Sequence, residues 1–294
     1  DNVDNKNPAD INGITPFHKA SSKGHFDICQ HIFANVDGKA KNPADLNGCT
    51  PLHIAAHKGH FEICQLIINN IDDKNPADII GITPLHTASS NGHFDICQHI
   101  VDNVDGKAKN PADLNGCTPL HIAAHKGHFE IFQLIINNID DKNPADIIGI
   151  TPLHTASSKG HFDICQYIID NVDSKIPTST TGATPLHSAA NCGHFDICKL
   201  IVDNVDGKAK NPAELSGWTP LHIAAHKGYF DICKLIMDNV EDKNPADING
   251  ITPLHKASSK GHFDICQHII DHVNNKNPSS SNEATPLHIA ANFG

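Results

Sequence analysis

Between residues 61 and 68 the apolar side chains Phe61, Ile63, Cys64, Ile67 and Ile68 fall at helical spacing and form one broad stripe. The stretch "HFEICQLIINN", 60–70, therefore predicts a helix, with Glu62 in its first turn against the positive end of the macrodipole. Just upstream, "PLHIAAHK" predicts a shorter helix with clear punctuation. Thr50 can cap it, Pro51 suits the first helical position because its missing N–H costs nothing there, and Gly59 can take the positive φ that ends it. Two such helices cannot bury so wide an apolar stripe alone, so neighbouring units must cover it. The polar run "DKNPADIIG", 73–81, offers Asn-Pro, which favours extended chain, and Asp-x-x-Gly, which favours a tight turn. A hairpin-like finger is expected there.

The same pattern returns along the whole chain. Fourteen residues, "TPLHIAAHKGHFEI", occur at 50–63 and again at 118–131. Thr-Pro recurs at Thr15, Thr50, Thr83, Thr118, Thr151, Thr184, Thr219, Thr252 and Thr285, spaced by 33 or 35 residues. All 18 Pro and all 20 Gly fall at fixed offsets from these threonines or in the two-residue insertions. A chain that places its breakers this way is one short supersecondary unit repeated, without room for a separate globular domain. The expected organisation is a single array over 1–294: the end of a preceding unit at 1–14, repeats at 15–49, 50–82, 83–117, 118–150, 151–183, 184–218, 219–251 and 252–284, and a truncated ninth at 285–294. Asp1 rather than Met opens the sequence and Gly294 closes it within a repeat, which predicts a piece of a longer protein.

Thr-Pro-Leu-His-x-Ala followed by Gly-His resembles the ankyrin repeat, in nine copies that cover essentially the chain. The resemblance implies an all-α fold, an α-solenoid of helix-turn-helix repeats with projecting β-hairpin-like fingers. It also implies a concave face that binds protein partners. Two departures stand out. Val36 and Ile71 occupy the place of the glycine usual after the second helix, and Glu283 replaces the finger glycine of the last repeat, which predicts a less regular last finger.

Composition narrows the function. All 22 basic residues are Lys, and with 33 acidic residues the net charge is −11. A nucleic-acid surface needs excess positive charge and usually forked Arg donors, so nucleic acid is excluded as the expected ligand. No run approaches the roughly 18 apolar residues of a membrane span, so no membrane insertion by this segment is expected. Seven of the ten Cys, Cys29, Cys64, Cys97, Cys165, Cys198, Cys233 and Cys266, share one repeat position and read as small buried hydrophobes rather than as a disulfide framework. An intracellular, cytoplasmic setting is the expectation.

Candidate chemistry is sparse. His53, His57 and His60 stand at i, i+4 and i+7, and two histidines one turn apart can hold zinc. No Cys or carboxylate nearby completes a tetrahedron, and the resemblance implies that His53 and its counterparts bond backbone between repeats, with His60 supporting the helix-helix turn. No metal and no cofactor are expected. Every Ser, Cys, His or Asp candidate is one of several equivalent copies, whereas an active site needs one asymmetric constellation, so no enzyme is expected. Cys192, where other repeats carry Lys, reads as an accessible thiol without further claim to function.

What differs between repeats is surface. The residue before each capping threonine, Ile82, Ile150, Trp218 and Ile251 among them, is expected to be apolar and exposed near the fingertip, with Leu215 and its counterparts three residues earlier. The end of the first helix carries Lys58, Lys126, Lys159, Lys227 and Lys260, with His226 beside Lys227. The resemblance puts these positions on the concave face. An apolar row beside a cationic row suits an extended peptide or helix with hydrophobic anchors and acidic flanks. The sole Trp, Trp218, makes its neighbourhood the expected hot spot. The functional expectation is a monomeric, non-catalytic scaffold for protein–protein interaction; the alternative is the cytoplasmic ankyrin region of a larger channel or multidomain enzyme. Residues 15–82 and 83–150 differ at only six of 68 positions, so a recent duplication explains the alternation of Ser-Ser-Lys and Ala-His-Lys repeats without a repetitive ligand.

Overall fold

A computed structural model describes residues 6–293. The chain forms two compact units, Asp1–Ile147 and Ile148–Gly294. In the first, paired helices follow one another: α1 Pro16–Lys23 and α2 Phe26–Ala34, α3 Pro51–Lys58 and α4 Phe61–Ile68, α5 Pro84–Asn91 and α6 Phe94–Asn103, α7 Pro119–Lys126 and α8 Phe129–Ile136. In the second the pairs are α9 Pro152–Lys159 and α10 Phe162–Asn171, α11 Pro185–Cys192 and α12 Phe195–Asp203, α13 Pro220–Lys227 and α14 Phe230–Asn239, α15 Pro253–Lys260 and α16 Phe263–His272, followed by α17 Pro286–Phe293. Within each unit first helices pack on first helices and second helices on second helices. The two-residue insertions fold as single 3-10 turns, Gly38–Lys41, Gly106–Lys109 and Gly207–Lys210.

Each first helix begins with a closed set of hydrogen bonds. Pro51 has no N–H to satisfy. The N–H of Leu52 donates to Asn42 Oδ1 at 3.1 Å, and the N–H of His53 donates to Thr50 Oγ1 at 3.4 Å. The Thr50 N–H donates back to His53 Nδ1 at 3.2 Å. The donors that a helix start leaves without intrahelical partners are thus met by three side chains, Thr50 and His53 of the same repeat and Asn42 of the finger before it. The Asn-Pro asparagine does more than favour extended chain: Asn7, Asn75, Asn110, Asn211 and Asn244 each serve the same N–H of the first helix that follows.

The stripe of the second helix is buried as expected, except at its start. Ile63, Cys64, Ile67 and Ile68 are buried, and so are Leu52, Ala55 and Ala56 on the first helix. Phe61 is only half-buried and Phe94, Phe162, Phe195, Phe230 and Phe263 are exposed. At the first helical position the ring lies beside the turn, where one edge meets a neighbour, as Phe61 meets His99 at 5.8 Å between centroids. The helix is also shorter than 60–70, because His60 is its cap and Asn70 closes the other end by donating its Nδ2 to the Leu66 carbonyl at 2.9 Å.

The fingers are tight turns with one backbone rung, and no strand occurs among the described residues. Asp45 N–H donates to the Cys49 carbonyl at 2.8 Å, while Asp45 Oδ1 accepts the N–H groups of Asn47 and Cys49. Successive fingers are tied by one further bond each, as from Leu46 N–H to the Asn12 carbonyl at 3.1 Å. The last finger corrects the expectation of irregularity. Glu283 takes φ 61° and keeps the rung from Ser280 N–H to the Ala284 carbonyl at 2.9 Å, because the neighbouring finger and the α17 cap fix the turn more strongly than one residue's left-handed cost opposes it.

Candidate partner-binding face

Histidines at three repeat positions show how the repeat distributes its chemistry. His53 receives the Thr50 N–H on Nδ1, so that nitrogen is bare and Nε2 carries the proton, which it donates to the Ile82 carbonyl of the next finger at 3.0 Å. His18, His86, His187, His222 and His255 reach the next finger in the same way. Both nitrogens of these rings are committed. Burial holds all six below the usual histidine range, His222 at about 4. His57 is exposed, and its Nδ1 lies 3.0 Å from Asn91 Nδ2 of the next first helix. His60 fills the space over Gly24, where a Cβ would come within 2.6 Å of its ring; His93 sits likewise over Gly59 and donates from Nε2 to the His57 carbonyl at 3.2 Å. Gly59 thus serves both a φ of 81° and a close approach. The i, i+4, i+7 spacing is divided among three separate tasks. Among the described residues no group of three His, Cys, Asp or Glu comes together in a way that could hold a metal ion.

All ten thiols are free. Six of the seven patterned ones are buried and Cys266 is half-buried, with Ser21, Ser89, Ser157 and Ser258 each 3.5–3.7 Å from the cysteine of its own repeat. Burial pushes Cys97, Cys165, Cys198 and Cys233 up to about 12, far from a reactive thiolate. Cys192 is exposed. A groove of about 880 Å³ beside Gly38–Lys41 is lined by Lys, Asp, Asn, Pro, Ala and Gly with Thr50 and Ile71, and without a Ser, Cys or His.

The variable residues of the sequence divide into two rows. The tip row is exposed: Leu46 and Leu114 at 70%, Ile79 at 64% and Leu215 at 76%. The row just before the threonines differs from expectation, since Ile82, Ile150, Trp218 and Ile251 are half-buried. Each stands at the base of its finger, where its carbonyl or N–H is engaged by the turn and by the histidine of the first helix in its own repeat, as in Ile82 and Ile251. Lys58, Lys126, Lys159, Lys227 and Lys260 are exposed at the ends of their helices, and His226 is half-buried. Trp218 lies over α13, stacked on His222 at 6.3 Å and tilted against His226 at 6.1 Å. Lys256 of α15 places its Nζ 3.8 Å from the indole centroid. Sequence reasoning passed over Lys256. Its signal was present, since the fourth residue after the threonine is Ile, Thr or Ser in seven repeats and Lys only at Lys19 and Lys256.

A family model described as ankyrin repeats, three copies to a match, fits the chain in overlapping stretches at 1–78, 17–110, 69–146, 85–180, 138–212, 171–247 and 221–294. The chain belongs to the ankyrin repeat family, whose arrays are protein-interaction modules. No curated protein matches it. No described helix is long and apolar enough to cross a membrane.

Proposed function

We propose that the chain is a non-catalytic scaffold that holds an extended protein segment or helix against the face made by its fingers and first helices. The observation that supports this most is the exposure of the tip row. The fold buries most of the Leu, Ile, Val and Cys of both helices, yet leaves Leu46, Ile79, Leu114, Ile147, Leu215 and Ile248 open to solvent, each in a different finger. Apolar groups left open on a framework that buries the rest are the usual mark of a contact surface. Lys58 and Lys126 in one unit, and Lys159, Lys227 and Lys260 in the other, stand on the first helices beside them. We read the repeats as one array over 1–294 that acts as a monomer in the reducing interior of a cell, most simply the cytoplasm, where ten free thiols persist.

Capture from lysate tests the reading when the intact chain is compared with a variant carrying Leu46→Ser, Leu114→Ser and Leu215→Ser. These side chains contribute little to the core, so the variant keeps its helical signal and loses the captured partner. Retention of the same partner by the well-folded variant would remove the fingertips from the binding face.

A further inference from the structure

The face departs from the pattern of the neighbouring repeats between α13 and α15. There Lys256 takes the position that holds Ile223 one repeat earlier, and its ammonium rests on the face of Trp218 at 3.8 Å. The indole is braced in turn by His222 and His226. A cation–π contact of this kind fixes where the ammonium sits while leaving its N–H donors free for another group. Lys260 follows one turn later and Lys227 ends the preceding helix, both exposed. The ion pairs of the described residues, Lys199 with Asp203 and Lys234 with Asp238, lie on second helices and involve none of these three lysines. Asp247, the carboxylate that acts on Lys256, is held in its finger by the N–H groups of Asn249 and Ile251.

His226 lies among these charges. Its Nδ1 is shut off from solvent and has no hydrogen-bond partner. In the other unit the equivalent nitrogen, on His57, faces the Asn91 amide at 3.0 Å, and the residue at the place of Asn91 is here Lys260. A neutral donor has been exchanged for a charge. Burial first, then Lys260, Lys256 and Lys227, hold His226 below its ordinary value, as an uncompensated positive field does.

We propose that Trp218, His226, Lys227, Lys256 and Lys260 form a subsite for a carboxylate side chain of an acidic partner peptide, with the aliphatic part of that side chain against the indole. The proposal rests on the reading of this face as the binding face and names the partner's chemistry. A carboxylate fits better than a nucleic acid. Lysine ammoniums supply point charges rather than the forked donors of Arg, and a polyanion would meet the net charge of −11 along its length. A peptide whose acidic residues are spaced by apolar ones brings its charge only where the lysines stand, and its apolar residues to the tips.

Trp218 is the only tryptophan, so its emission reports on the subsite in the full chain. The probes are two end-blocked nonapeptides, one alternating Leu with Glu and one alternating Leu with Gln. The expected result is a saturable change in emission with the Leu–Glu peptide and a Kd lower by about tenfold than for the Leu–Gln peptide. Lys256→Thr and Lys260→Asn install the residues found at the same places in Thr155 and Asn91, so they keep the fold, and each should erase most of that preference. Equal binding of the two peptides would overturn the carboxylate subsite while leaving the face itself in place. No response to either peptide would overturn the subsite, with the face still judged by the fingertip variant. Stronger binding of single-stranded oligothymidylate than of the Leu–Glu peptide would assign the lysines to a polyanion and overturn the proposal as well.

Discussion

Removing the amide of Asn75 strikes the start of α5 at its least replaceable bond. Asn75 is buried, its Oδ1 accepts the N–H of fully buried Leu85 at 3.0 Å, and its Nδ2 donates to the Ala108 carbonyl of the next repeat at 3.1 Å. Asn75→Ala leaves the Leu85 N–H buried without an acceptor, at a cost of about 1–3 kcal/mol, and loses a second bond of about 1 kcal/mol, so about 2–4 kcal/mol in all. Asn75→Asp keeps the acceptor and places a charge at the helix start, so it should cost only about 1 kcal/mol for the lost donor. The chain supplies its own reverse case. Ile176 stands where the other repeats have Asn, and Ile176→Asn should gain about 0.5–1.5 kcal/mol by serving Leu186. Urea unfolding followed by far-UV circular dichroism gives the total, and hydrogen exchange at the Leu85 amide gives the local effect, which matters because repeat arrays unfold by coupled neighbours. If Asn75→Ala and Asn75→Asp cost the same, or if neither alters Leu85 exchange, the asparagine is not the cap that the geometry makes it.

Glu283→Gly relieves the left-handed backbone at φ 61° and should raise the stability of the last finger by about 0.5–1 kcal/mol, measurable as slower hydrogen exchange at Ala284. Six of the buried histidines, His18, His53, His86, His187, His222 and His255, give a pH dependence: their folded values lie below an unfolded value of about 6.5, so the unfolded chain takes up protons first, and stability falls as pH drops from about 6.5 toward the folded values. For His222, at about 4, the loss is on the order of 3 kcal/mol, and an unchanged urea midpoint between pH 7.5 and 5 would contradict it. Thiol labelling of the native chain should begin at exposed Cys192 and reach half-buried Cys49 and Cys117, which burial first and then the nearby Asp carboxylates raise to about 11, more slowly; early labelling of Cys64 or Cys97 would show that the second helices are not packed as described.

Much of this architecture was legible because a repeat shows each rule nine times. Thr50, Pro51 and Gly59 marked the first helix to the residue, and the stripe from Ile63 to Ile68 marked the buried face of the second. Asn42 was legible as a breaker but not as a cap, since its partner Leu52 is ten residues away and the bond exists only once the chain has folded back. Phe61 and Glu283 went the other way. Local rules called the first a core residue and the second an irregularity, and the packing of neighbouring repeats decided otherwise. At the candidate site, spacing pointed to Trp218 and Lys227 but misjudged the exposure of Trp218, because the indole lies against His222 and His226 of α13 and beneath Lys256 of α15. Lys256 gains its meaning from an indole 38 residues earlier (256 − 218 = 38), a pairing that no sequence window contains.

The most direct test of the central claim is the affinity of a captured partner for three variants at two salt concentrations. Trp218→Ala should cost about 2 kcal/mol, as a central aromatic anchor does, and Lys227→Glu should weaken an acidic partner chiefly at low salt through its association rate. Asp203→Asn, at an exposed carboxylate of the second helix α12, should leave affinity unchanged. Loss of binding at Asp203 with none at Trp218 or Lys227 would place the partner on the second helices and contradict the account.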